Sequence, residues 1–524
     1  MFCLTLGFSP VSAQYDLVVA KDGSGNFATI NEAIAACIGA FEGGREERVK
    51  IFVRNGVYNE PVRFGSHNIG KTGMPVSLVG ESRDGVIISF NNCQSTIDNT
   101  YPDKQEGKDY WFGSAQCATM AINSEDFYGE NFTVLNTRDT TVYTTGLYIA
   151  GRRQAYKNIK VVANRGSLFV RNGRPAFVMD SYLEGRQEMT ASNGTAVIYN
   201  STFKINGSSV FYAYPEDNIY YDVPAIGDTV RYGHIFRNCT FTSPDTTSAG
   251  TIYLAQPKAR ESGAWYLNCK LGAHINPLAI KASTNEVANA RSYFGEYKSV
   301  MADGITPADV SGRASNVRQM SDDYIKKFAF NNHIYNKMFG AGEAAAYAAN
   351  KDTVYWNPLR LVAPVGIPQN VVKSGNNLTW NEVENAIGYV VYLDGVFAGM
   401  TDTKSFSPAS GTGTYTVCSV TESGAMSKPS GTASQLSYAD LVSILNNVPV
   451  SVNSPNTSAY SLVVIDKTIR FENETDCKLY NLSGRCVYNR TSVMEVSLNS
   501  LPKGVYLVRT SDLKNGNNIS KIVL

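Results

Sequence analysis

Residue types that commonly carry hydrolytic chemistry are sparse in this chain. Its four histidines are His67, His234, His274 and His333, and no Gly-x-Ser-x-Gly sequence supplies a nucleophilic serine. The pattern therefore does not favour a Ser-His-Asp site, and we expect the histidines at the surface or in turns. The nine cysteines lack Cys-x-x-Cys spacing, which argues against a zinc site.

Composition favours a protein that handles sugars. The chain has 31 tyrosines, 18% charged residues and a formal net charge of +1, which is typical of secreted β-rich proteins that bind neutral or mildly acidic sugars. The balance of charge gives no indication of a nucleic-acid partner. Tyr214, with Tyr220 and Tyr221, lies in a loop that either stacks on sugar faces or packs against the rest of the fold.

A short phrase recurs from about residue 125 onward. It has a polar residue, often Asn, then a small residue and alternating apolar positions, and most copies lie about 20–30 residues apart. The copies are Glu130–Val134, Lys157–Val161, Met179–Leu183, Tyr199–Phe203, Arg237–Phe241 and Leu267–Leu271. This period predicts a solenoid of stacked coils with Asn side chains hydrogen-bonded up the stack, and it places Cys239 and Cys269 at equivalent buried positions.

Two segments near the N-terminus carry a family resemblance. Lys21–Ile34 is a glycine-punctuated turn that runs into an amphipathic helix, and Ile51–Glu60 is a short strand followed by a Gly-x-Tyr-x-Glu turn. Together they resemble the start of pectin methylesterases, which remove methyl groups from plant homogalacturonan. The resemblance implies an all-β fold, a right-handed parallel β-helix of the pectin lyase-like type. We expect Glu60 to tie a turn of that helix through hydrogen bonds.

The catalytic phrases of the resembled family are altered here. Members are thought to use one Asp as nucleophile, a second Asp as general acid and base, Gln side chains for the oxyanion and an Arg to orient the nucleophile. Glu188, within Glu184–Asn193, takes the nucleophile's position, and Arg165 and Gly166 replace the Gln-Asp pair that carries the acid. Two further phrases map loosely onto Tyr143–Leu147 and Leu254–Lys258.

Three hypotheses for function follow from these substitutions. In the first, the chain remains an esterase with Glu188 as nucleophile or general base, and the oxyanion is stabilised by Arg165, Tyr143 or Gln256. In the second, the groove binds pectin or a related polysaccharide without turnover. Its substrate-binding residues would be Arg186, Gln187, Tyr214 and Lys258.

The third hypothesis is a polysaccharide lyase that uses an Arg or Lys base. That chemistry usually needs carboxylates for Ca²⁺. None lies near Arg165 in sequence, although Glu216, Asp217 and Asp222 share one loop. We expect no resident cofactor and no metal.

Residues beyond the solenoid divide into further modules. A Phe-x-Glu-Tyr phrase within Arg291–Lys298 predicts the close of the β-helix, followed by a cap with a helix at Asp322–Phe328, so that this domain spans 15–345. Residues 366–436 resemble a fibronectin type III β-sandwich with Trp380 in its core. Residues 459–524 resemble the small β-rich C-terminal sorting domain of bacterial type IX secretion, which implies export machinery as a partner.

The two ends of the chain indicate export. Residues 1–13 are an apolar run that ends in a small-x-small site before Gln14, as in a secretory signal peptide. No apolar run approaches the roughly 20 residues of a membrane span. We therefore expect a secreted or cell-surface bacterial protein, in which Cys477 and Cys486 form a disulfide across a hairpin.

Overall fold

The computed structural model describes most of the chain in two compact units, residues 1–448 and 449–524. The described residues are 14–65, 74–94, 115–139, 142–171, 175–192, 194–207, 210–216, 233–259, 262–328, 357–408, 412–446, 464–465, 468–481, 486–502, 505–512 and 516–523. The predicted signal peptide 1–13 lies outside them, as do Tyr220, Tyr221, Asp217 and Asp222.

The first unit is built around three parallel sheets, here called sheets I, II and III, with strands numbered in chain order. Sheet I contains β1 (Leu17–Val19), β2 (Val49–Val53), β5 (Val76–Gly80), β8 (Tyr128–Glu130), β11 (Gln154–Lys157), β14 (Pro175–Met179), β17 (Thr195–Tyr199), β20 (His234–Arg237), β23 (Gly263–Leu267), β25 (Tyr293–Tyr297) and β27 (Val317–Gln319). Sheet II contains β4 (Val62–Phe64), β7 (Ala118–Ile122), β10 (Thr145–Ile149), β13 (Leu168–Val170), β16 (Thr190–Ser192), β19 (Phe211–Pro215) and β22 (Tyr253–Ala255).

Sheet III completes each coil. It contains β3 (Gly56–Asn59), β6 (Val86–Phe90), β9 (Thr133–Asn136), β12 (Lys160–Val162), β15 (Tyr182–Gly185), β18 (Thr202–Ile205), β21 (Thr240–Thr242), β24 (Lys270–Leu271) and β26 (Val300–Met301). Each strand pairs with the strand one coil away in the same sheet, which is the topology of a parallel β-helix. The predicted fold class is confirmed.

The recurring phrase of the sequence forms the turn between sheet I and sheet III. Its second residue adopts a left-handed backbone, with φ of 60° at Asn131, 49° at Asn158, 51° at Asp180 and 48° at Asn200. Asn and Asp tolerate this region better than other non-glycine residues. The side chain of Asn158 donates to Asn131 over 2.7 Å, and that of Asn200 donates to Asp180 over 2.6 Å. The expected hydrogen bonding between stacked turns is confirmed.

The interior of the stack is apolar and continuous. Aromatic rings such as Phe203 and Phe241 stack at 5.2 Å between neighbouring coils. Cys239 and Cys269 are fully buried at equivalent positions, as predicted, and burial raises the pKa of the Cys239 thiol to about 12. Removal of this surface from water is the main driving force for the stack, at about 25 cal/mol per Å².

An amphipathic helix, α1 (Ile30–Glu42), covers the first coils. Thr29 and Glu32 form a capping box at its N-terminus. The carboxylate of Glu60 accepts hydrogen bonds from the backbone N–H groups of Ile30 and Asn31, over 2.9 and 3.0 Å. The prediction that Glu60 ties a turn is confirmed, and the anion is favourably placed at the positive end of the helix dipole.

The stack extends beyond the predicted closing phrase. Strand β25, which contains that phrase, pairs with β27 on its far side, so sheet I continues by one strand. A short helix, α2 (Glu286–Ala290), precedes β25, and a 3-10 helix at Tyr324–Phe328 lies within the segment predicted as a helix. The phrase marks a position in the stack and not its end, because a capping strand can pair with any open edge.

A second group of strands packs on the outside of sheet I. It comprises α3 (Leu359–Val362), β28 (Val372–Ser374), β29 (Asn377–Thr379), β30 (Gly388–Leu393), β31 (Val396–Thr401), β32 (Ser405–Phe406), β33 (Tyr415–Val420) and α4 (Tyr438–Asn446). Its strands form two small antiparallel sheets. Trp380 is buried, with its ring 5.1 Å from Tyr389, which confirms its place in a core.

The contact between this group and sheet I is extensive. Tyr392, Cys418 and Val420 join one buried cluster with Tyr15 and Phe52 of the first coils. Because 359–446 covers an apolar face of the β-helix, we treat the two as one folded body in the experiments below.

The second unit is a separate antiparallel sheet. It contains β34 (Val464–Ile465), β35 (Thr468–Asn481), β36 (Cys486–Ser497), β37 (Val505–Asp512) and β38 (Gly516–Val523). Cys477 faces Arg490 across the hairpin and Cys486 faces Tyr480, and both thiols are free. The predicted disulfide is therefore wrong, because the register offsets the two cysteines.

The histidine prediction is wrong for His234, which lies in strand β20, and correct in placing His274 in a turn. His234 and His274 are both buried, and an imidazole nitrogen of His274 lies 2.8 Å from the hydroxyl of Tyr212. Burial lowers the pKa of His274 from 6.5 to about 4. His67 and His333 lie outside the described residues.

The depressed pKa of His274 predicts loss of stability in acid. Between about pH 4 and 6.5 the unfolded chain binds a proton that the folded chain excludes, so the free energy of unfolding should fall as the pH drops through this window. His274→Gln should show a smaller fall in thermal midpoint between pH 6.5 and pH 4.5 than the unmodified chain. Between pH 7 and 8 the two should respond alike. Identical responses in the acid window would contradict the assignment.

Candidate active site

The outer face of sheet II carries a row of aromatic and small side chains. Strand pairing aligns Ala121, Tyr148, Phe169, Ala191 and Tyr214 on neighbouring strands. The rings of Tyr148 and Phe169 stack at 5.2 Å with an interplanar angle of 13°. Because parallel pairing repeats the same position in every coil, residues just before each strand also meet at one edge of the sheet.

A carboxylate and a guanidinium meet at that edge. Arg165 precedes β13 and forms a bridge with Gln187, which precedes β16 in the next coil. The Nη2 group of Arg165 donates to Oε1 of Glu188 over 2.6 Å, and the side-chain amide of Gln187 donates to the same oxygen over 3.2 Å. Glu188 is only 5% exposed and has a left-handed φ of 53°. These donors fix the position of a desolvated carboxylate.

Tyr143 takes the space beside this pair. The guanidinium of Arg165 lies 5.5 Å from the centre of the Tyr143 ring. Burial, followed by the negative charge of Glu188, holds the pKa of Tyr143 well above its usual value. Its buried hydroxyl has no hydrogen-bond partner within the described part of the chain. Tyr143 therefore stays protonated at neutral pH and offers an O–H donor.

The backbone at Gly166 leaves no room for a side chain. Gly166 has a left-handed φ of 67°, and a Cβ there would lie 2.7 Å from Cζ of Tyr143 and closer still to the hydroxyl oxygen. The absence of a side chain at Gly166 and the placement of Tyr143 are thus two parts of one packing arrangement.

The remaining predicted residues do not join the Arg165–Glu188 pair directly. Lys258 forms an ion pair with Glu216 and lies 5.5 Å from the ring of Tyr214. Arg186 is exposed. The side-chain amide of Gln256 donates to the carbonyl of Ala282 over 2.8 Å, so that donor is already used.

Sequence reasoning missed two features of the site. The first is Arg171, just beyond the end of β13, whose guanidinium donates to the hydroxyl of Tyr148 over 2.9 Å. The alternation of side-chain directions along this short strand is the sequence signal that could have predicted it. The second is the ion pair between Glu216 and Lys258, which joins neighbouring coils. No local sequence pattern predicts it. Over the described ranges, no group of three or more His, Cys, Asp and Glu residues is arranged to hold a metal ion.

The comparison with protein families identifies the family to which the chain belongs. A model described as Pectinesterase matches residues 16–337, more than half of the chain, and the chain belongs to this family. A second model, described as a secretion system C-terminal sorting domain, matches residues 463–524. The expected secreted or cell-surface localisation is confirmed. No helix in the described ranges is long and apolar enough to cross a membrane.

Curated relatives are distant. Probable pectinesterase 30 from Arabidopsis thaliana is 23% identical over 286 residues, which covers 54% of this chain and 52% of that protein. Probable pectinesterase 56 from the same plant is 27% identical over 247 residues, or 46% of this chain and 76% of the relative. The chain thus spans about half the length of the first of these relatives.

Similar solved structures include two pectin methylesterases of low sequence identity. Pectin methylesterase from carrot is 20% identical, with a TM-score of 0.49, over 66% of this chain and 98% of the carrot chain. Pectin methylesterase PemA from Erwinia chrysanthemi is 21% identical, with a TM-score of 0.48, over 62% of this chain and 97% of that chain.

The crowding at Gly166 predicts an unusual cost of a single methyl group. Gly166→Ala should lower the free energy of unfolding by the left-handed strain, about 1–2 kcal/mol, plus about 1–3 kcal/mol of overpacking against Tyr143. Gly23→Ala is the matched control, since Gly23 has a φ of 79° with no atom within 4 Å of an added Cβ. Chemical denaturation of both variants measures the difference. Equal losses would show that Tyr143 does not fill the space.

Proposed function

We propose that this protein hydrolyses methyl or acetyl esters of a pectin-like polygalacturonate, with Glu188 as general base. The observation that carries the proposal is the buried carboxylate of Glu188, held over 2.6 Å by Arg165 at the edge of sheet II. Family membership supports the reaction class, and the aromatic row beside the pair suits a sugar polymer.

A general base fits this site better than a nucleophile. The nucleophilic route of the family uses a second carboxylate to protonate the leaving group, and Gly166 has removed it. In the alternative route Glu188 takes a proton from water as the water oxygen attacks the ester carbonyl carbon. When the tetrahedral intermediate collapses, the bond to the alkoxy oxygen breaks and Glu188 returns the proton, so that methanol and a carboxylic acid leave.

The oxyanion of that intermediate needs donors. The hydroxyl of Tyr143 remains protonated because its pKa is held well above the usual value, and it lies beside Arg165. A hydroxyl without a protein partner can donate to a negative charge that develops in the transition state without first breaking a hydrogen bond. We assign Tyr143 and Arg165 to this role.

Binding of pectin without turnover is the second candidate. The missing second carboxylate at Gly166 favours it. Exposed Arg186 would pair with a galacturonate carboxylate, and Lys258 would do so by exchanging its ion pair with Glu216. Lyase activity stays a prediction with less support, because Glu216, the described member of the acidic loop, is paired with Lys258.

The modules outside the β-helix belong to the same proposal. We propose that residues 1–13 direct export as a signal peptide in a bacterium and that 459–524 engages secretion machinery. We also propose domain boundaries of 15–345 for the β-helix and 366–436 for a fibronectin type III-like module.

Substitution of the base tests the esterase directly. Glu188→Gln in the full chain should reduce release of methanol or acetate from highly esterified pectin by about 10²–10⁴-fold, because general-base catalysis typically contributes that much. Glu184→Gln is the matched control, since this half-buried carboxylate is bound by Tyr182 and Asn206 on sheet III. Retention of pectin on each variant is measured in parallel. No release from the unmodified chain, with pectin still retained, would establish the binding function instead.

A further inference from the structure

A cavity of about 750 Å³, lined by both polar and apolar side chains, lies between the β-helix and the segment 364–441. Its floor is the ledge of left-handed turns that join sheet I to sheet III. Its lining includes none of the residues of the Arg165–Glu188 cluster. The volume lies within the range of about 300–1,000 Å³ that small-molecule sites occupy.

Asp180 presents its carboxylate to the cavity from this ledge. Its Oδ1 accepts from Asn200 over 2.6 Å, while Asn158 one turn below donates to Asn131 instead. Within the described residues no donor reaches Oδ2 of Asp180. Asp180 is half-buried, and burial raises the pKa of its carboxyl. The series of side-chain hydrogen bonds between stacked turns is therefore interrupted between Asn158 and Asp180.

The charged residues that line the cavity balance, with Arg83, Lys157 and Lys428 on one side and Glu81, Glu130 and Asp180 on the other. Lys157 lies 3.0 Å from a carboxylate oxygen of Glu130, and Arg83 lies 3.1 Å from that of Asp84. The ammonium of Lys428 donates to the carbonyl of Ser434 over 3.1 Å. An anionic ligand would add a negative charge to this balanced lining, next to the carboxylate of Asp180. A neutral ligand with several hydroxyl groups would meet both acceptors and donors.

We propose that this cavity binds a neutral saccharide, with Oδ2 of Asp180 accepting from a sugar hydroxyl and Arg83 and Lys428 donating to others. Tyr182 and Leu436 supply apolar surface for the ring. The site is independent of the proposed esterase, because it lies on the sheet I to sheet III turns and not on sheet II. It would hold the chain on a polymer while the other face works on esters.

Two sugars that differ only at C6 test the proposal. Methyl galactoside and methyl galactosiduronate are titrated against the full chain by ligand-observed NMR. The galactoside should bind saturably and more tightly than the uronate, and Asp180→Asn should weaken its binding about tenfold, as expected for loss of a hydrogen bond to a charged group. Asp180→Asn keeps an acceptor for Asn200 and suits the φ of 51°, so the fold should persist. Asn268→Asp is the matched control, at an equivalent turn with a φ of 52° outside the cavity.

A second variant guards against loss of folding. Leu436 is 39% exposed at the cavity, so Leu436→Trp should narrow the site without disturbing a core, and it should also weaken binding. The proposal is overturned if the galactoside does not bind, if the uronate binds as tightly, or if binding is unchanged in both variants.

Discussion

The alignment of successive coils is the constraint on which the rest of this structure depends. At the turns between sheet I and sheet III, Asn and Asp residues accept a left-handed backbone and hydrogen-bond to the coil above or below. A slip of one residue would reverse which side chains face the core, so apolar burial and these turns hold the same register. That register brings Arg165 beside Gln187 and hence beside Glu188.

The arrangement of side chains at the edge of sheet II follows from this alignment. Glu188 is held in a left-handed backbone by the coils around it, and such strained positions persist only where the surroundings determine them. The same coils leave no room for a side chain at Gly166, where Tyr143 packs. The site therefore combines the carboxylate of Glu188, the guanidinium of Arg165 in contact with it, and the protonated hydroxyl of Tyr143 close by. This set suits general-base hydrolysis through a single proton carrier.

Repetition explains which features the sequence predicts well. The phrases around Asn131, Asn158 and Asn200 recur, and each copy reinforces the prediction of a turn, so the β-helix and the buried Cys239 and Cys269 follow from local pattern. Features made by contacts between distant residues have no such signal. The extra strand β27, the burial of His234 and His274 and the offset of Cys477 from Cys486 all depend on long-range packing or register.

The central claim is that Arg165 and Glu188 act as one catalytic unit, and a double-mutant cycle on methanol release tests it most directly. Arg165→Gln, Glu188→Gln and the double variant should each lower kcat/KM by a similar factor, because residues that act together lose function non-additively. Losses that multiply in the double variant, or full activity in Arg165→Gln, would contradict the claim. So would an unmodified chain that releases neither methanol nor acetate.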